Sequence, residues 1–326
     1  MTSLQPFLAA IQSEIDKTVY GESPIELYEP IDYIMELGGK RMRPALTLIA
    51  ANLFSDNWQS VLKPAVAVEV FHNFTLMHDD IMDAAPLRRG QATVHEKWSD
   101  DVAILSGDVM LVAAYELLTT VEDKHFKRVV KRFNRTAAEV CEGQQFDMNF
   151  ATRDDVTEEE YLNMIRLKTS VLLGFALELG GIISDADDKT IELLYETGVN
   201  MGLGFQLKDD LLDVYGDPEK FGKQVGGDII ENKKTWLLLK ALEKSKSSSP
   251  ELYKELQSWI SITGKDAEKV EAVTEIYNKL GIKAAAENVV SVYFEKGLNA
   301  LKSIDVEDER KLPLKEFAAY LMARES

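Results

Sequence analysis

Cysteine is nearly absent from this sequence, and Cys141 is the only one among 326 residues. A single cysteine excludes an internal disulfide and a cysteine-based zinc cluster, and it is typical of proteins from reducing compartments. Long apolar runs are absent too, so no integral membrane segment is predicted. The N-terminal stretch has no basic region and no long apolar core, which argues against a signal peptide. We therefore expect a cytoplasmic protein.

Positive charge is also scarce. The 37 Lys and Arg residues are outnumbered by 55 Asp and Glu residues, which leaves a formal net charge of −18. This balance argues against a nucleic-acid or anionic-membrane binder, although local basic groups can still bind small anions. Hydrophobic residues make up 45% of the chain, as in ordinary globular proteins. No linker is visible, so we expect a single domain over residues 1–326.

Alternating strand patterns are rare, whereas apolar residues recur with the helical period along nearly the whole chain. Pro24 begins a predicted helix that Gly38 ends, and Thr157 with Glu160 forms a capping box before another. Further helices are predicted at 44–54, 61–83, 101–120, 123–150, 157–181, 189–215 and 232–244, with four weaker ones after the loop KSKSSSP. The pattern predicts an all-α fold.

Adjacent aspartates occur five times, at 79–80, 100–101, 154–155, 187–188 and 209–210. Such a pair is usually a helix cap or part of a solvated loop, and three of the five fit that interpretation. The pairs at 79–80 and 209–210 differ, because each has another aspartate further along, in DDIMD and DDLLD. This spacing puts Asp79 with Asp83, and Asp209 with Asp213, on one helix face.

Both motifs follow a long apolar helix and directly precede a helix breaker. The carboxylates are therefore expected near helix C-termini, where the helix dipole disfavours anions and favours cations. This placement indicates a bound cation. Carboxylates without histidine or thiolate favour a hard cation such as Mg²⁺, and the spacing of an EF-hand is absent. A further acid within an apolar segment, Asp108, is expected to be structural and hydrogen-bonded.

Basic residues are concentrated in four segments, GGKRMRP, PLRRG, RLKT and KFGKQVGGDIIENKKT. Taken singly, a Lys/Arg pair is usually a solvated surface or a favourable helix end. Arginine, however, suits bidentate contacts with phosphate. Mg²⁺ held by carboxylates, together with Lys and Arg, can bind a diphosphate and stabilise it as a leaving group. Two acidic motifs and two basic groups suggest two diphosphate sites that face each other.

With these motifs in order, the chain resembles the trans-isoprenyl diphosphate synthases, the polyprenyl synthetase family, of the short-chain type. The matching segments are GGKRMRP, FHNFTLMHDDIMD, LRRG, GQQFD, KT, GFQLKDDLLD and GKQVGGDIIENKKT. The resemblance implies a single helical bundle of the isoprenoid-synthase type, with a central cavity between aspartate-bearing helices. It also implies a homodimer that acts on isopentenyl and allylic diphosphates. The implied cofactor is Mg²⁺, at roughly two or three ions per site, with Mn²⁺ as a substitute.

The resemblance also implies a role for each matching residue. The expected ligands of Mg²⁺ on the allylic diphosphate are Asp79, Asp83 and Asp209, with shells completed or supported by Asp80, Asp210 and Asp213. The expected contacts of the allylic diphosphate are Arg88, Lys168, Lys223 and Lys233. The expected neighbours of the developing carbocation are Thr169 and Gln206, which with Lys168 form the catalytic group. Lining residues from the GQQFD segment are Gln144 and Asp147. The diphosphate of isopentenyl diphosphate is expected to contact Lys40, Arg43, His72 and Arg89.

The implied reaction is a head-to-tail condensation through an allylic carbocation. The diphosphate leaves the allylic carbon, the isopentenyl double bond attacks that carbon, and the departed diphosphate takes the final proton. The floor of the product tunnel is implied to contain Phe71, Phe74 and Thr75, all upstream of Asp79. A bulky residue at Phe74 favours a short all-trans product, with geranylgeranyl diphosphate slightly ahead of farnesyl diphosphate. Taken alone, aromatic residues at this spacing indicate core packing, and His72 on an apolar helix is more often a core histidine.

Two alternatives to this function are considered. A non-catalytic or regulatory subunit with the same fold would usually lose one acidic motif, whereas both are present here. An enzyme that cyclises an allylic diphosphate, or joins two such chains head to head, would lack the second diphosphate site of the GGKRMRP type. The sequence therefore favours a trans-prenyltransferase.

Overall fold

The computed structural model describes residues 2–217 and 226–323. In chain order, the first α-helices are α1 (Gln5–Ile15), α2 (Ile25–Glu36), α3 (Met42–Asn52), α4 (Leu62–Met82), α5 (Val94–Lys97), α6 (Asp100–Leu118), α7 (Asp123–Phe150) and α8 (Glu158–Ile165). They are followed by α9 (Val171–Ile183), α10 (Asp188–Tyr215), α11 (Gly227–Ile230), α12 (Trp236–Ser248), α13 (Pro250–Ser261), α14 (Asp266–Lys279), α15 (Ile282–Lys302) and α16 (Leu312–Ala323). The predicted all-α fold is confirmed.

Shorter elements complete the described chain. Turns of 3₁₀ helix occur at Thr2–Leu4 and Trp58–Val61, and a π-helical segment, Arg166–Ser170, joins α8 to α9. Two strands, β1 (Leu87–Arg88) and β2 (Gln91–Ala92), form an antiparallel hairpin. Within the described ranges, every helix falls short in length or in apolar character of what a membrane span requires.

The helix bounds agree with the predicted ones where capping signals are strong. α7 has the predicted bounds, and the capping box of Thr157 and Glu160 begins α8 as expected. The helix predicted at 157–181 is instead divided by the π-helical segment. The helix predicted at 232–244 begins later, at Trp236, and continues through most of KSKSSSP. Ser247 and Ser248 permit this extension because both hydroxyls donate to the carbonyl oxygen of Lys244.

Close packing divides the chain into two units, each compact in itself. The first comprises Met1–Thr136, Leu172–Tyr195 and Leu301–Phe317. In its core, Phe133 lies between Phe71 and Phe175, with ring centroids 5.1 and 5.8 Å away. The second unit comprises Ala137–Val171, Glu196–Ala300 and Ala318–Ser326, and its largest fully buried side chains are Trp236, Tyr161 and Phe294. The single domain over 1–326 stays a prediction.

α6 has a small-residue face and an exposed face. Ala103, Gly107 and Ala114 are buried, and α6 packs closely against α4. A Cβ at Gly107 would lie 2.3 Å from the ring of His78, so only glycine allows this approach. Asp108 lies on the exposed side of the helix, and the expectation of a structural, hydrogen-bonded aspartate was wrong. Because the small residues of α6 pack against α4, Asp108 on the opposite side of the helix faces solvent.

Candidate active site

The first aspartate motif occupies the C-terminal turn of α4. The N–H of Asp83 donates to the carbonyl oxygen of Asp79 at 2.9 Å and closes the last turn. Ala84 then has a positive φ of 47°, which ends the helix before Pro86. Asp79 is half-buried and Asp83 is exposed. The helix dipole disfavours carboxylates at this end, and a cation bound there would offset the cost.

Asp80, the middle residue of the motif, is buried and bound to Arg88. The guanidinium holds the carboxylate with two hydrogen bonds, from Nε at 2.7 Å and from Nη2 at 2.6 Å. A bidentate pair of this kind fixes the orientation of both groups. Asp80 is 2% exposed, and both of its carboxylate oxygens accept hydrogen bonds from Arg88. Arg88, predicted to contact the allylic diphosphate, is thereby held beside the first motif.

The hairpin that carries Arg88 and Arg89 was not predicted. Leu87 pairs with Ala92 across it, and Arg89 and Gly90 form the two-residue turn. Both turn residues have positive φ, 54° and 77°, as a tight turn of this hand requires. Glycine after arginine was the signal available in the sequence. Strands of two residues are too short to show alternation, so the signal was missed.

Arg89 extends from this turn to the GGKRMRP segment. Its Nη1 donates a hydrogen bond to the carbonyl oxygen of Gly38. A Cβ at Gly39 would lie 2.9 Å from Nη2 of Arg89, and Gly39 has a φ of 140°. Glycine is therefore favoured at Gly39 by its backbone conformation, and a side chain there would also displace the end of Arg89. Lys40 follows and is exposed.

Arg43 and His72 are in direct contact. Nη1 of Arg43 lies 2.9 Å from Nε2 of His72. Because arginine can only donate, Nε2 is the acceptor and the ring proton resides on Nδ1. Burial lowers the pKa of His72 well below its ordinary value, and the guanidiniums of Arg43 and Arg89 add to the shift. The structure thus brings a neutral His72 together with two arginines predicted to bind isopentenyl diphosphate.

Arg41, between Lys40 and Arg43, has a structural role. It is 5% exposed, and its Nη1 donates to Oε1 of Glu69 at 2.8 Å. Its Nη2 donates to the carbonyl oxygen of Met35. A buried guanidinium needs such partners, and these contacts hold α4 to the end of α2. Three basic residues within four positions do not reveal which one is buried.

The residues predicted for the tunnel floor differ in burial. Phe71 is 1% exposed, with its ring 5.6 Å from that of Phe74. Phe74 is half-buried, and its ring also lies 4.8 Å from that of His78. Thr75 is half-buried too, and its hydroxyl donates to the carbonyl oxygen of His72 at 2.8 Å. Phe71 is therefore a core residue, whereas Phe74 and Thr75 retain exposed surface.

In the second unit, the π-helical segment carries Lys168 and Thr169. Nζ of Lys168 lies 2.6 Å from Oδ2 of Asp147, so the GQQFD segment binds the predicted catalytic lysine. A Cβ at Gly143 would lie 2.2 Å from the backbone nitrogen of Lys168. The glycine of GQQFD is thus required for the close approach of the two backbones. Gln144 beside it is 7% exposed.

Four side chains of the second unit form a chain of hydrogen bonds. Thr169 donates to Oε1 of Gln206 at 3.2 Å, and Nε2 of Gln206 donates to Oδ1 of Asp210 at 3.1 Å. Tyr161 donates to the other oxygen of Asp210. Burial and the carboxylate of Asp228 raise the pKa of Asp210 to about 7, although its donors lower it. Tyr161 was missed, because an aromatic residue at an apolar helix position predicts only core packing.

The second aspartate motif also organises the segment that follows it. Oδ2 of Asp213 accepts the N–H of Asp228 at 3.0 Å, and its carbonyl oxygen accepts the N–H of Gly226 at 2.6 Å. Nζ of Lys233 lies 3.8 Å from Oδ1 of Asp228. Partial burial lowers the pKa of Lys233, but nearby carboxylates outweigh it and raise the pKa, so the amine stays charged. Lys223, predicted to act here, lies outside the described residues.

The donor set of both motifs fits Mg²⁺. Within residues 2–217 and 226–323, no three His, Cys, Asp or Glu side chains are grouped closely enough to hold an ion unaided. Proteins usually bind Mg²⁺ through one or two carboxylates, with water and substrate phosphates completing the octahedron. Asp79 with Asp83, and Asp209 with Asp213, each offer carboxylates one helical turn apart. These pairs suit a shell shared with a diphosphate.

Comparison with known proteins decides the family. A model described as polyprenyl synthetase matches residues 24–280, which is most of the chain. The chain belongs to the polyprenyl synthetase family. The predicted family and enzyme class are confirmed, so the protein is a trans-prenyltransferase. Isoprenoid diphosphates are the substrates of this family, and its members are generally metal-dependent.

Individual relatives of this polyprenyl synthetase cover between 72% and 100% of its length. A geranylgeranyl diphosphate synthase of Methanosarcina mazei is 38% identical over 97% of this chain and 95% of its own. A short chain isoprenyl diphosphate synthase of Methanocaldococcus jannaschii is 42% identical over 72% of each chain. A crystal structure of a geranylgeranyl pyrophosphate synthase covers 100% of both chains, with 46% identity and a TM-score of 0.94. The fold therefore agrees with that of a solved geranylgeranyl pyrophosphate synthase.

Proposed function

We propose that the protein is a geranylgeranyl diphosphate synthase. It would extend an allylic diphosphate with isopentenyl diphosphate, head to tail, to an all-trans product. The observation that carries the proposal is that a relative and a solved structure of this name match the chain over 97% and 100% of its length. Farnesyl diphosphate is the second candidate product, because Phe74 precedes Asp79 by five residues and its bulky ring would limit the length of the product.

Each group of side chains has a proposed task. Ligands of Mg²⁺ are Asp79, Asp83 and Asp209, supported by Asp80, Asp210 and Asp213. Side chains that bind the allylic diphosphate are Arg88, Lys168, Lys223 and Lys233, with Gln144 and Asp147 beside them. Side chains that bind isopentenyl diphosphate are Lys40, Arg43, His72 and Arg89. The fixed Arg88–Asp80 and Lys168–Asp147 pairs support these tasks, because they orient two cations in advance.

In the proposed reaction, the allylic carbon–oxygen bond breaks and its electron pair leaves with the diphosphate. Arg88, Lys168 and Lys233 bind the departing group and stabilise its growing negative charge. When bound, Mg²⁺ neutralises more of that charge. The oxygens of Thr169 and Gln206 stabilise the allylic cation, while apolar side chains exclude water. The isopentenyl double bond then forms the new carbon–carbon bond, and the adduct loses a proton to the departed diphosphate.

The isopentenyl group requires no charged histidine. The lowered pKa keeps His72 neutral near neutral pH, and its Nε2 accepts the hydrogen bond of Arg43. The ring therefore orients Arg43, and its Nδ1–H remains a donor. Together with Lys40 and Arg89, this arrangement suits a diphosphate that must be bound without cleavage of its carbon–oxygen bond.

We further propose a cytoplasmic homodimer. The single cysteine supports a reducing compartment. Dimerisation is supported by the α6 stripe, which we define as Ile104, Leu105 and Val112. Their exposed fractions are 44%, 58% and 62%, and they share one face of the helix with the exposed Asp108. Exposed apolar side chains grouped on one face of a globular protein mark a contact with a partner, and we assign this contact to a second copy.

One incubation tests the proposed function. The protein is given isopentenyl diphosphate, Mg²⁺ and one starter at a time, dimethylallyl, geranyl or farnesyl diphosphate, with EDTA as the control. Products are dephosphorylated and separated by chain length. We expect metal-dependent elongation that ends at geranylgeranyl. An end at farnesyl would select the second candidate, and no elongation by folded protein would contradict the function itself.

The same assay tests the tunnel floor. Phe74→Ala is expected to give longer products than the parent, because removal of the ring lengthens the space before the first motif. Phe126→Ala, which truncates an exposed aromatic residue of α7, is the control and should give parental products. Parental products from Phe74→Ala would show that another residue forms the floor.

A further inference from the structure

The four-residue hydrogen-bond chain of the second unit has one direction when Asp210 is ionised. The carboxylate then only accepts, so Tyr161 and Nε2 of Gln206 both donate to Asp210. Oε1 of Gln206 is then the acceptor that faces Thr169, whose hydroxyl proton points toward it at an oxygen–oxygen distance of 3.2 Å. The lone pairs of Thr169 are consequently turned away from Gln206. Two oxygens with fixed orientation result.

Tyr161 is built into the fold at a fixed position. It is 1% exposed and follows the capping box in the first turns of α8. Glu158, at the start of the same helix, accepts hydrogen bonds from Nε1 of Trp236 at 2.8 Å and from Lys240 at 3.3 Å. These contacts leave the phenol little freedom. A phenol is protonated near neutral pH, so the hydroxyl is a donor to Asp210.

The acceptor end of the chain is equally constrained. Asp210 and Gln206 lie one turn apart on α10, and Asp210 is 6% exposed. A Cβ at Gly202, one turn before Gln206, would lie 2.7 Å from Cα of Ser170, so α10 and the π-helical segment are in close contact. The backbones cannot shift to compensate for a lost hydrogen bond. The amide of Gln206 can rotate, however, and its orientation depends on what Asp210 accepts.

We propose that Tyr161 is a positioning residue for the prenyl transfer, acting through Asp210 to orient the oxygens of Gln206 and Thr169. The inference rests on the proposed function, in which these two oxygens stabilise the allylic cation. With Tyr161 in place, one oxygen of Asp210 is engaged and the other fixes the NH₂ of Gln206. Without the hydroxyl, the carboxylate is free to turn, and the amide can present its NH₂ to the cation. A donor dipole beside a developing positive charge would raise the barrier.

Tyr161→Phe is the direct test, because it removes the hydroxyl and keeps the ring in the core. We expect kcat to fall by roughly 10–100-fold, with KM for both substrates changed by less than about 3-fold. Tyr277→Phe is the matched control, since Tyr277 is 2% exposed in the same unit and makes no contact in the hydrogen-bond chain. It should retain parental kcat. Loss through KM alone, or unchanged kcat in Tyr161→Phe, would overturn the inference.

A double-mutant cycle separates positioning from packing. If Tyr161 acts through Gln206, then Tyr161→Phe should cost less than about 3-fold in kcat when Gln206→Leu is already present. Fully multiplied losses would overturn the inference, because a packing defect would act in either background. If Tyr161→Phe does not fold, 4-aminophenylalanine and 4-fluorophenylalanine at position 161 replace it. The amine donates and should restore most of kcat, whereas the fluorine should not, and equal kcat values would overturn the inference.

The parent enzyme keeps this test independent of the proposed function. A folded parent that elongates no starter would contradict the function and leave nothing for Tyr161 to position. An active parent whose kcat does not depend on the hydroxyl would contradict this inference only.

Discussion

At the scale of single residues, the two aspartate motifs share a division of labour. In each motif the middle aspartate is buried and accepts hydrogen bonds from other side chains. Arg88 donates to Asp80, whereas Tyr161 and Gln206 donate to Asp210. The first aspartate of each motif is only partly buried, at the end of a long helix. A carboxylate that orients a cation or an amide is a poor candidate for direct contact with an ion. We infer that the middle aspartates support the sites, whereas Asp79, Asp83 and Asp209 bind the metal.

His72 gives the folded protein a predictable dependence on pH. In the unfolded chain the imidazole titrates near 6.5, whereas in the folded protein burial and the adjacent Arg43 lower its pKa well below that value. Between these two values the unfolded state binds a proton that the folded state does not. The free energy of unfolding is therefore expected to fall as the pH falls below 6.5, by up to about 1.4 kcal/mol per pH unit.

Urea unfolding of the metal-free protein at about pH 8 and about pH 5.5 checks this expectation, with His72→Asn as the comparison. Asparagine does not titrate in this range, so the variant should lose less stability than the parent between the two pH values. An identical loss in both proteins would show that other groups carry the pH dependence.

The residue scale also shows the reach of sequence reasoning. The placement of Asp79 and Asp83 on one face at the end of a helix could be predicted, because neighbouring residues determine both the spacing and the helix end. The burial of Arg41 could not, because it depends on Glu69, which follows 28 residues later. Tyr161 is a similar case, since its partner Asp210 is 49 residues away. A contact between residues that are far apart in the sequence leaves no pattern in either local segment.

At the scale of elements, the π-helical segment is the feature most closely tied to the site. It interrupts the helix predicted at 157–181 at the residues that carry Lys168 and Thr169. Segments of this kind cost some backbone energy and are frequent at functional sites. The sequence shows continuous helical periodicity here, so the break was not predicted. The glycines Gly143 and Gly202, which contact it from both neighbouring helices, were the available signal.

Gly143→Ala is expected to damage both stability and activity. Its Cβ would lie 2.2 Å from the backbone nitrogen of Lys168, and backbone cannot move aside as a flexible side chain can. Overpacking of this kind should lower the free energy of unfolding by about 1–3 kcal/mol. It should also reduce kcat, because it displaces Lys168 from Asp147. Urea unfolding and the elongation assay measure the two effects.

Gly181→Ala is the control for that substitution. Gly181 also lies in a helix, but the nearest atom to its new Cβ is the end of the Leu194 side chain, at 2.6 Å. A side chain can adopt another rotamer, so this variant should be the more stable of the two. Equal stability of the two variants would mean that α7 yields to the methyl group without cost.

At the scale of the whole molecule, charge and function are in opposition. The chain carries a formal charge of −18, yet its proposed substrates are diphosphates. Long-range attraction therefore does not favour their arrival, and binding depends on local cations and on the metal. The paired guanidinium of Arg88 and the paired amine of Lys168 provide such local charge. Composition alone argued against nucleic-acid binding, but only the motifs predicted that the protein binds diphosphates.

The α6 stripe leads to the prediction for the assembly. Leu105→Glu places a charge where we propose that a second copy packs, and a charge buried there without a partner would oppose association. The parent should sediment at twice the chain mass of 36.6 kDa, and the variant should approach the single mass while it keeps its helical circular dichroism. Val19→Glu, at an exposed position outside α6, should leave the mass unchanged. A monomeric parent would contradict the dimer, whereas a dimeric Leu105→Glu would move the interface to another face.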